Sequence, residues 1–226
     1  MGIDMARFIR EEVKVTVKKI LIVDDHEVLR DGVKRIFDKQ AGAITFGEAS
    51  TGAEALKLVR EQDWDIVVLD LSLGGLSGLE VLKELKQLRP RLAILILSMH
   101  TEVQFARRAF EAGASGYITK DSPRSELTKA INKIIEEGTY VGAALAEKLV
   151  VDIRKGGDRP LHETLSDREF EVMRLIASGK TVGEIAELLS LSDSTISTYR
   201  ARILEKMGMK TNAKLTHYAI QNKLVD

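Results

Sequence analysis

The chain has 226 residues, 44% hydrophobic and 30% charged, with a formal net charge of zero. That length suits two cores of about 100 to 150 residues better than one. The absence of cysteine excludes disulfides, thiolate metal sites and a cysteine nucleophile, and fits a cytoplasmic location. No apolar run approaches the roughly 20 residues of a membrane helix, so a soluble protein with no membrane partner is expected. The four histidines are scattered, which argues against a histidine metal site, and the neutral balance argues against a uniformly basic nucleic-acid coat while leaving local patches open.

Residues 1–17, MGIDMARFIREEVKVTV, mix acidic and basic groups without a continuous apolar segment, and are read as an N-terminal extension rather than a secretory signal. Beyond them, short β-branched runs alternate with segments of helical period. Strands are predicted at Lys19 to Val23, Ile44 to Glu48, Ile66 to Leu69, Leu92 to Leu97 and Gly116 to Thr119. Helices are predicted near 26–39, 52–62, 78–89, 101–112 and 123–137, which makes five βα units and a doubly wound parallel sheet over 18–138. The third and fourth strands, "DIVVLD" and "LAILILS", are apolar almost throughout, as buried central parallel strands are.

After Gly138 the pattern changes. Residues 139–163 read as a linker with a short helix, Leu145, Leu149 and Ile153 standing at turn spacing before the flexible "KGGDRP". Over 164–226 the pattern is helical only, which predicts a second, smaller all-α domain. "SDRE" and "TVGE" fit capping boxes, with Ser166 and Thr181 at the caps and Glu169 and Glu184 three residues on. Gly179 and "SLS" separate successive helices in the layout of a helix-turn-helix, with Ser192 to Met207 as its second helix. Ile185, Leu188, Ile196, Ile203 and Met207 are the expected core. From Arg200 onward basic residues outnumber acidic ones, which makes phosphate binding plausible.

In an open α/β sheet, ligands bind beyond the carboxyl ends of the strands. Asp24 and Asp25 end the first strand, Asp70 the third, Ser98 the fourth and Lys120 the fifth, so all five converge on one rim. Three carboxylates within about 5 Å repel by roughly 3 kcal/mol per pair at an effective dielectric of about 20. A hard divalent cation with oxygen ligands, Mg2+ above all, relieves that repulsion, assisted by Lys120. A lone Asp at a strand end is usually a cap or loop residue; four ionisable groups and a hydroxyl at the ends of four strands together are not explained that way. His26 is read as the first turn of a surface helix rather than a catalytic group.

The spacing of "VDDH", "VVLDLSLGGLSG", "LILS" and "GYITK" resembles the receiver domain of two-component response regulators. That resemblance implies Asp70 as phosphoacceptor, Asp24, Asp25, Asp70 and the Ser72 carbonyl as Mg2+ ligands, Ser98 and Lys120 on the phosphoryl oxygens, and Tyr117 as a switch aromatic turning with Ser98. It implies self-phosphorylation and autodephosphorylation rather than enzymatic turnover, and a sensor histidine kinase as donor. Leu73-Gly74-Gly75 departs from the family's Met-Pro-Gly, and loss of the proline loosens that loop. The stretch from Leu165 is similar over its whole length to the LuxR-type DNA-binding domain, which makes the chain resemble a response regulator of the NarL/FixJ subfamily.

By that resemblance the positions matching base contacts are Ser197, Thr198 and Ala201. Ser194 and Ser197 stand where many members carry lysine, Arg200 and Arg202 meet phosphates or base edges, and Lys206 and Lys210 meet the backbone. The partner is double-stranded promoter DNA, bound by a homodimer when active, because one small domain holds a half-site weakly. Two other readings remain: a phosphorylation-independent DNA-binding protein using the receiver as a dimerisation scaffold, and a hydrolase with an Asp nucleophile. The latter wants a second Asp where Ser72 stands.

Overall fold

The computed structural model describes residues 18–37, 44–73, 77–99, 103–154, 160–222 and 224–225. The extension 1–17, Gly74 and Gly75 of the loop after the third strand, Lys155 to Arg159 of the linker, and Lys223 lie outside the described residues. In chain order β1 (Lys18–Val23), α1 (Glu27–Phe37), β2 (Ile44–Ala49), α2 (Gly52–Glu61), β3 (Ile66–Leu69), α3 (Gly78–Leu88), β4 (Ala93–Ser98), α4 (Val103–Glu111), β5 (Gly116–Thr119) and α5 (Arg124–Glu137) form the α/β part, closed by a short sixth strand, β6 (Tyr140–Val141). The sheet runs β2-β1-β3-β4-β5-β6, every pair parallel.

The alternation of side chains along each strand divides the apolar surface between two layers. Leu21, Val23, Val67, Leu69, Ile94 and Ile96 face α2, α3 and α4. Ile20, Ile22, Ile66, Val68, Leu95 and Leu97 face α1 and α5. All of these are buried, which is why the strands read as continuous apolar runs.

The sixth strand corrects the expected count of five. α5 ends at Gly138, whose φ of 87° is left-handed and turns the chain back beside β5. A Cβ on Gly116 would stand 2.9 Å from the Tyr140 carbonyl oxygen, so glycine there permits the approach. Two residues are too few to show a strand period.

Helix α6 (Ala143–Arg154) leads to a 3₁₀ turn over Leu161–Thr164, then α7 (Asp167–Ala177), α8 (Val182–Leu189), α9 (Asp193–Lys206) and α10 (Asn212–Gln221). Both expected capping boxes form, and Ser192 and Thr211 cap α9 and α10 by accepting from the Thr195 and Lys214 N–H groups. Ile185, Ile196, Ile203 and Met207 are buried as expected, but Leu188 is 55% exposed. The inward face of α8 is Ile185, Ala186 and Leu189, so the i+4 neighbour replaces the i+3 neighbour. No helix among the described residues is long and apolar enough to cross a membrane.

Candidate functional site

The carboxyl ends of β1, β3, β4 and β5 bring the predicted side chains to one crevice. Lys120 Nζ donates to Asp24 Oδ2 and to Asp70 Oδ2, each at 2.7 Å, and all three side chains are at most 7% exposed. Strand hydrogen bonding continues one residue past each end: the Asp70 N–H donates to the Val23 carbonyl and the Lys120 N–H to the Ser98 carbonyl. The Ser72 N–H donates to Asp70 Oδ1 at 3.1 Å, which wraps the following loop round the carboxylate. Ser98 is fully buried at the end of β4, and Tyr117 is buried in the core layer that includes α4.

Burial raises the Asp70 carboxyl above the ordinary aspartate range, the Asp24 charge adds to it, and Lys120 opposes both. For Lys120, burial works against the charged form, but its hydrogen bonds to Asp24 and Asp70 outweigh it and hold the amine above its ordinary value. The crevice therefore keeps one fixed cation among its acids.

Asp25 is half-exposed at the mouth, and the structure adds a neighbour that sequence reasoning set aside. His26 caps α1, its carbonyl accepting from the Leu29 and Arg30 N–H groups. Its Nδ1 lies 2.6 Å from Asp25 Oδ1 and 3.2 Å from Asp24 Oδ1. Asp24, Asp25 and His26 can bring one ligand atom each to within 4.8 Å of one another. Adjacency to the acidic pair was the only signal of this in the sequence. The donor set fits a hard cation: carboxylate oxygens from the ends of two strands, that of Asp25 half-exposed.

The second expected site lies on α9. Ser194, Ser197, Thr198 and Ala201 fall at i, i+3, i+4 and i+7, which places them on one stripe, and all four are exposed. Arg202 and Lys210 are exposed beside it. Arg200 and Lys206 are engaged within the domain: Arg200 Nε donates to Asn212 Oδ1 at 2.7 Å, and Lys206 Nζ to Glu169 Oε2 at 2.6 Å.

Residues 20–132 match the response regulator receiver domain family, and residues 163–219 match the family described as bacterial regulatory proteins, luxR family. The chain belongs to the NarL/FixJ response regulators. It is 34% identical over 206 residues to the response regulator UvrY of Escherichia coli K12, which covers 91% of this chain and 94% of that one. Among solved structures, a LuxR-family two-component response regulator from Aurantimonas sp. SI85-9A1 is 38% identical with a TM-score of 0.57, covering 61% of this chain and 98% of that chain. The RcsB response regulator of Salmonella typhimurium is 25% identical with a TM-score of 0.55, covering 89% and 97%. This response regulator is thus a two-component transcription factor that binds DNA through its LuxR-type helix-turn-helix, and its receiver is a phosphoacceptor, not a turnover enzyme.

Within the response regulator the two domains meet on residues that no sequence pattern marked. Arg108 of α4, 10% exposed, donates through Nη1 to Asp167 Oδ1 at 3.0 Å and the Leu165 carbonyl at 3.1 Å, and through Nη2 to the His162 carbonyl at 2.9 Å. Its guanidinium carbon stands 4.3 Å from the centroid of the Phe170 ring. Lys83 of α3 reaches Asp167 Oδ2 at 2.6 Å, Arg107 pairs with Glu163, and Phe105 meets Phe170 with ring centroids 5.2 Å apart.

Proposed function

We propose that Asp70 accepts a phosphoryl group from a sensor histidine kinase, and that Asp24, Asp25, Asp70 and the Ser72 carbonyl hold Mg2+ beside it. The observation that carries this reading is the Lys120 ammonium bridging Asp24 and Asp70 in a buried crevice. An Asp70 oxygen attacks the phosphorus of a phosphohistidine; the O–P bond forms as the P–N bond breaks, and the electron pair leaves with the imidazole nitrogen. Bound Mg2+ supplies charge neutralisation between the acceptor carboxylate and the incoming phosphoryl oxygens. Lys120 is positioned to keep its charge on the product's oxygens, and Ser98 to donate its hydroxyl to them. The displaced Ser98 loop leaves space for the buried Tyr117 to turn, which alters the face that α4 presents.

The receiver is assigned to 18–138, the linker to 139–163 and the DNA-binding domain to 164–226, with 1–17 as an extension. Ser194, Ser197, Thr198 and Ala201 line the major-groove face of α9, Arg202 and Lys210 meet phosphates, Arg200 adds charge from its tethered position, and Lys206, paired to Glu169, braces the helix. One such helix reads few bases, so the phosphorylated form binds promoter DNA as a homodimer. Intact-mass spectrometry with acetyl phosphate and Mg2+, run beside promoter binding on the same sample, tests the assignment. A single phosphoryl adduct on the wild type, none on Asp70→Asn, and tighter promoter binding only for the adduct are expected. Equal promoter affinity for both proteins, with and without the donor, would instead make the receiver a dimerisation scaffold.

A further inference from the structure

The acidic pair at the end of β1 is held through its main chain as well as by Lys120. Every polar group of Asp24 is engaged. Its N–H donates to the Ala49 carbonyl at 3.1 Å, its Oδ1 accepts the His26 N–H at 2.9 Å, and its Oδ2 accepts Lys120 Nζ at 2.7 Å. Its carbonyl accepts Arg30 Nη1, also at 2.7 Å. That carbonyl belongs to the peptide joining Asp24 to Asp25, so the Arg30 guanidinium pins the link from which the Asp25 side chain springs.

Arg30 lies in the first turn of α1, its N–H bonded to the His26 carbonyl, and its side chain is 14% exposed. Its Nε donates to Glu48 Oε2 on β2 at 3.0 Å, while the other Glu48 oxygen accepts Lys34 Nζ at 2.6 Å. Lys34 and Arg30 hold the Glu48 carboxyl below the ordinary glutamate range, so it stays charged at neutral pH. A guanidinium carries its donors in a rigid planar fork, and committing Nε to Glu48 leaves Nη1 aimed at one point. No hydrogen bond or ion pair joins Glu48 to Asp24 or Asp25 among the described residues, so Glu48 acts on the pair through Arg30.

For a cation in the crevice, Arg30 has two effects of opposite sign. Its charge repels the ion, whereas the pinned peptide presents the carboxylates in advance. Mg2+ demands near-ideal octahedral geometry at about 2.0–2.1 Å, while Ca2+ accepts irregular oxygen ligands at about 2.3–2.6 Å. Positioning is therefore worth more to Mg2+ than to Ca2+, and charge acts on both alike.

We propose that Arg30, anchored by Glu48, is a positioning residue for the Mg2+ site: its bond to the Asp24 carbonyl fixes the Asp24–Asp25 peptide and makes the crevice selective for Mg2+ over larger divalent cations. The proposal rests on the reading that Asp24, Asp25 and Asp70 hold Mg2+.

The experiment compares the full-length wild type with Arg30→Ala, Arg30→Lys and Glu48→Ala. Affinities for Mg2+ and for Ca2+ are measured by titration calorimetry on samples whose folding is checked by circular dichroism. Arg30→Ala is expected to lose about tenfold or more in Mg2+ affinity and much less in Ca2+ affinity, so that the preference between the two ions collapses. Arg30→Lys keeps the charge without the fork and should lose the preference as well. Glu48→Ala leaves Arg30 in place without its anchor and should show a smaller loss in the same direction, which keeps the test alive should Arg30→Ala fail to fold. Mg2+ binding as tight as the wild type, or tighter, in Arg30→Ala overturns the proposal, because Arg30 would then act by repulsion. Equal losses for Mg2+ and Ca2+ overturn it too, since general loosening of α1 would explain them. A wild-type preference in Glu48→Ala removes the anchor. No Mg2+ uptake by the wild type removes the metal reading itself, an outcome distinct from any difference among the variants.

Discussion

Lys206 Nζ lies 2.6 Å from Glu169 Oε2, so the last basic residue of α9 is ion-paired to the capping box that opens α7. The Glu169 carboxylate also accepts the Ser166 N–H at 2.8 Å. Burial alone would raise its pKa, but Lys206 and Ser166 together hold it below the ordinary glutamate value. The pair fixes the crossing of the DNA-reading helix over its support. Lys206→Ala is expected to cost about 1 kcal/mol of stability, a modest figure because the ammonium end is partly solvated. DNA affinity should fall with it, while the slope of log affinity against log salt stays close to the wild type, since Lys206 already carries a protein counter-ion. Lys210→Ala should do the reverse: unchanged melting, and a slope reduced by about one. Thermal melts beside anisotropy at several salt concentrations separate the two, and a large slope change for Lys206→Ala would place it on the DNA backbone.

The buried Asp70 carboxyl makes a prediction about pH. Its folded pKa is raised chiefly by burial, so the folded state holds this proton more tightly than the unfolded chain does. The associated stability is fully present below the unfolded aspartate value and is lost as pH rises through the folded one. Asp70→Asn removes the buried charge while Lys120 keeps Asp24 as its partner. The variant should melt roughly 3 °C higher than the wild type at neutral pH, about 1 kcal/mol. The advantage should vanish below about pH 4, where the wild-type carboxyl is protonated in both states. A neutral-pH melt in which Asp70→Asn is less stable would show that Lys120 depends on Asp70 more than the repulsion with Asp24 costs.

Magnesium should offset the same repulsion by binding. A ligand that binds only the folded state stabilises it by mass action, about 2.7 kcal/mol at a hundredfold excess over its dissociation constant. Titrating Mg2+ should raise the melting temperature of the wild type, and a chelator should return it to the starting value. Asp25→Asn removes the half-exposed carboxylate at the mouth, where His26 Nδ1 now stands 2.6 Å away, and should lose most of the gain. An undiminished magnesium response in Asp25→Asn would move the cation off the β1 end.

Much of the receiver was legible because parallel strands buried on both faces must be apolar throughout: "DIVVLD" and "LAILILS" became β3 and β4 with at most small shifts at their ends. The crevice was legible for a related reason, since strand ends converge and Asp24, Asp70 and Lys120 each close a strand. The interface was not. Nothing in the sequence marks Lys83, Arg107 and Arg108, because the partner that desolvates them lies more than fifty residues away and no period couples the two. Leu188 was misread for a local reason, as α8 has only two turns on which i+3 and i+4 are hard to tell apart.

Glycines near the acceptor separate backbone sterics from chemistry. A Cβ on Gly78 would lie 2.4 Å from Leu71 Cα and 2.5 Å from the Asp70 carbonyl oxygen, both main-chain atoms that cannot swing aside. Gly78 N–H also donates to the Leu71 carbonyl, which ties the start of α3 to the segment after β3. Gly78→Ala must push that segment and the Asp70 carboxylate with it, so a stability loss of about 1–3 kcal/mol should accompany slowed phosphorylation by acetyl phosphate. Gly32, inside α1, has open space where a methyl group would stand, with no heavy atom within 4 Å. Gly32→Ala should therefore stabilise by about 0.5–1 kcal/mol through helix propensity, leaving phosphorylation unchanged. Melting temperature and phosphorylation rate measured on both variants check the contrast. If Gly78→Ala phosphorylated at the wild-type rate, close main-chain approach at α3 would not be what sets the acceptor's position.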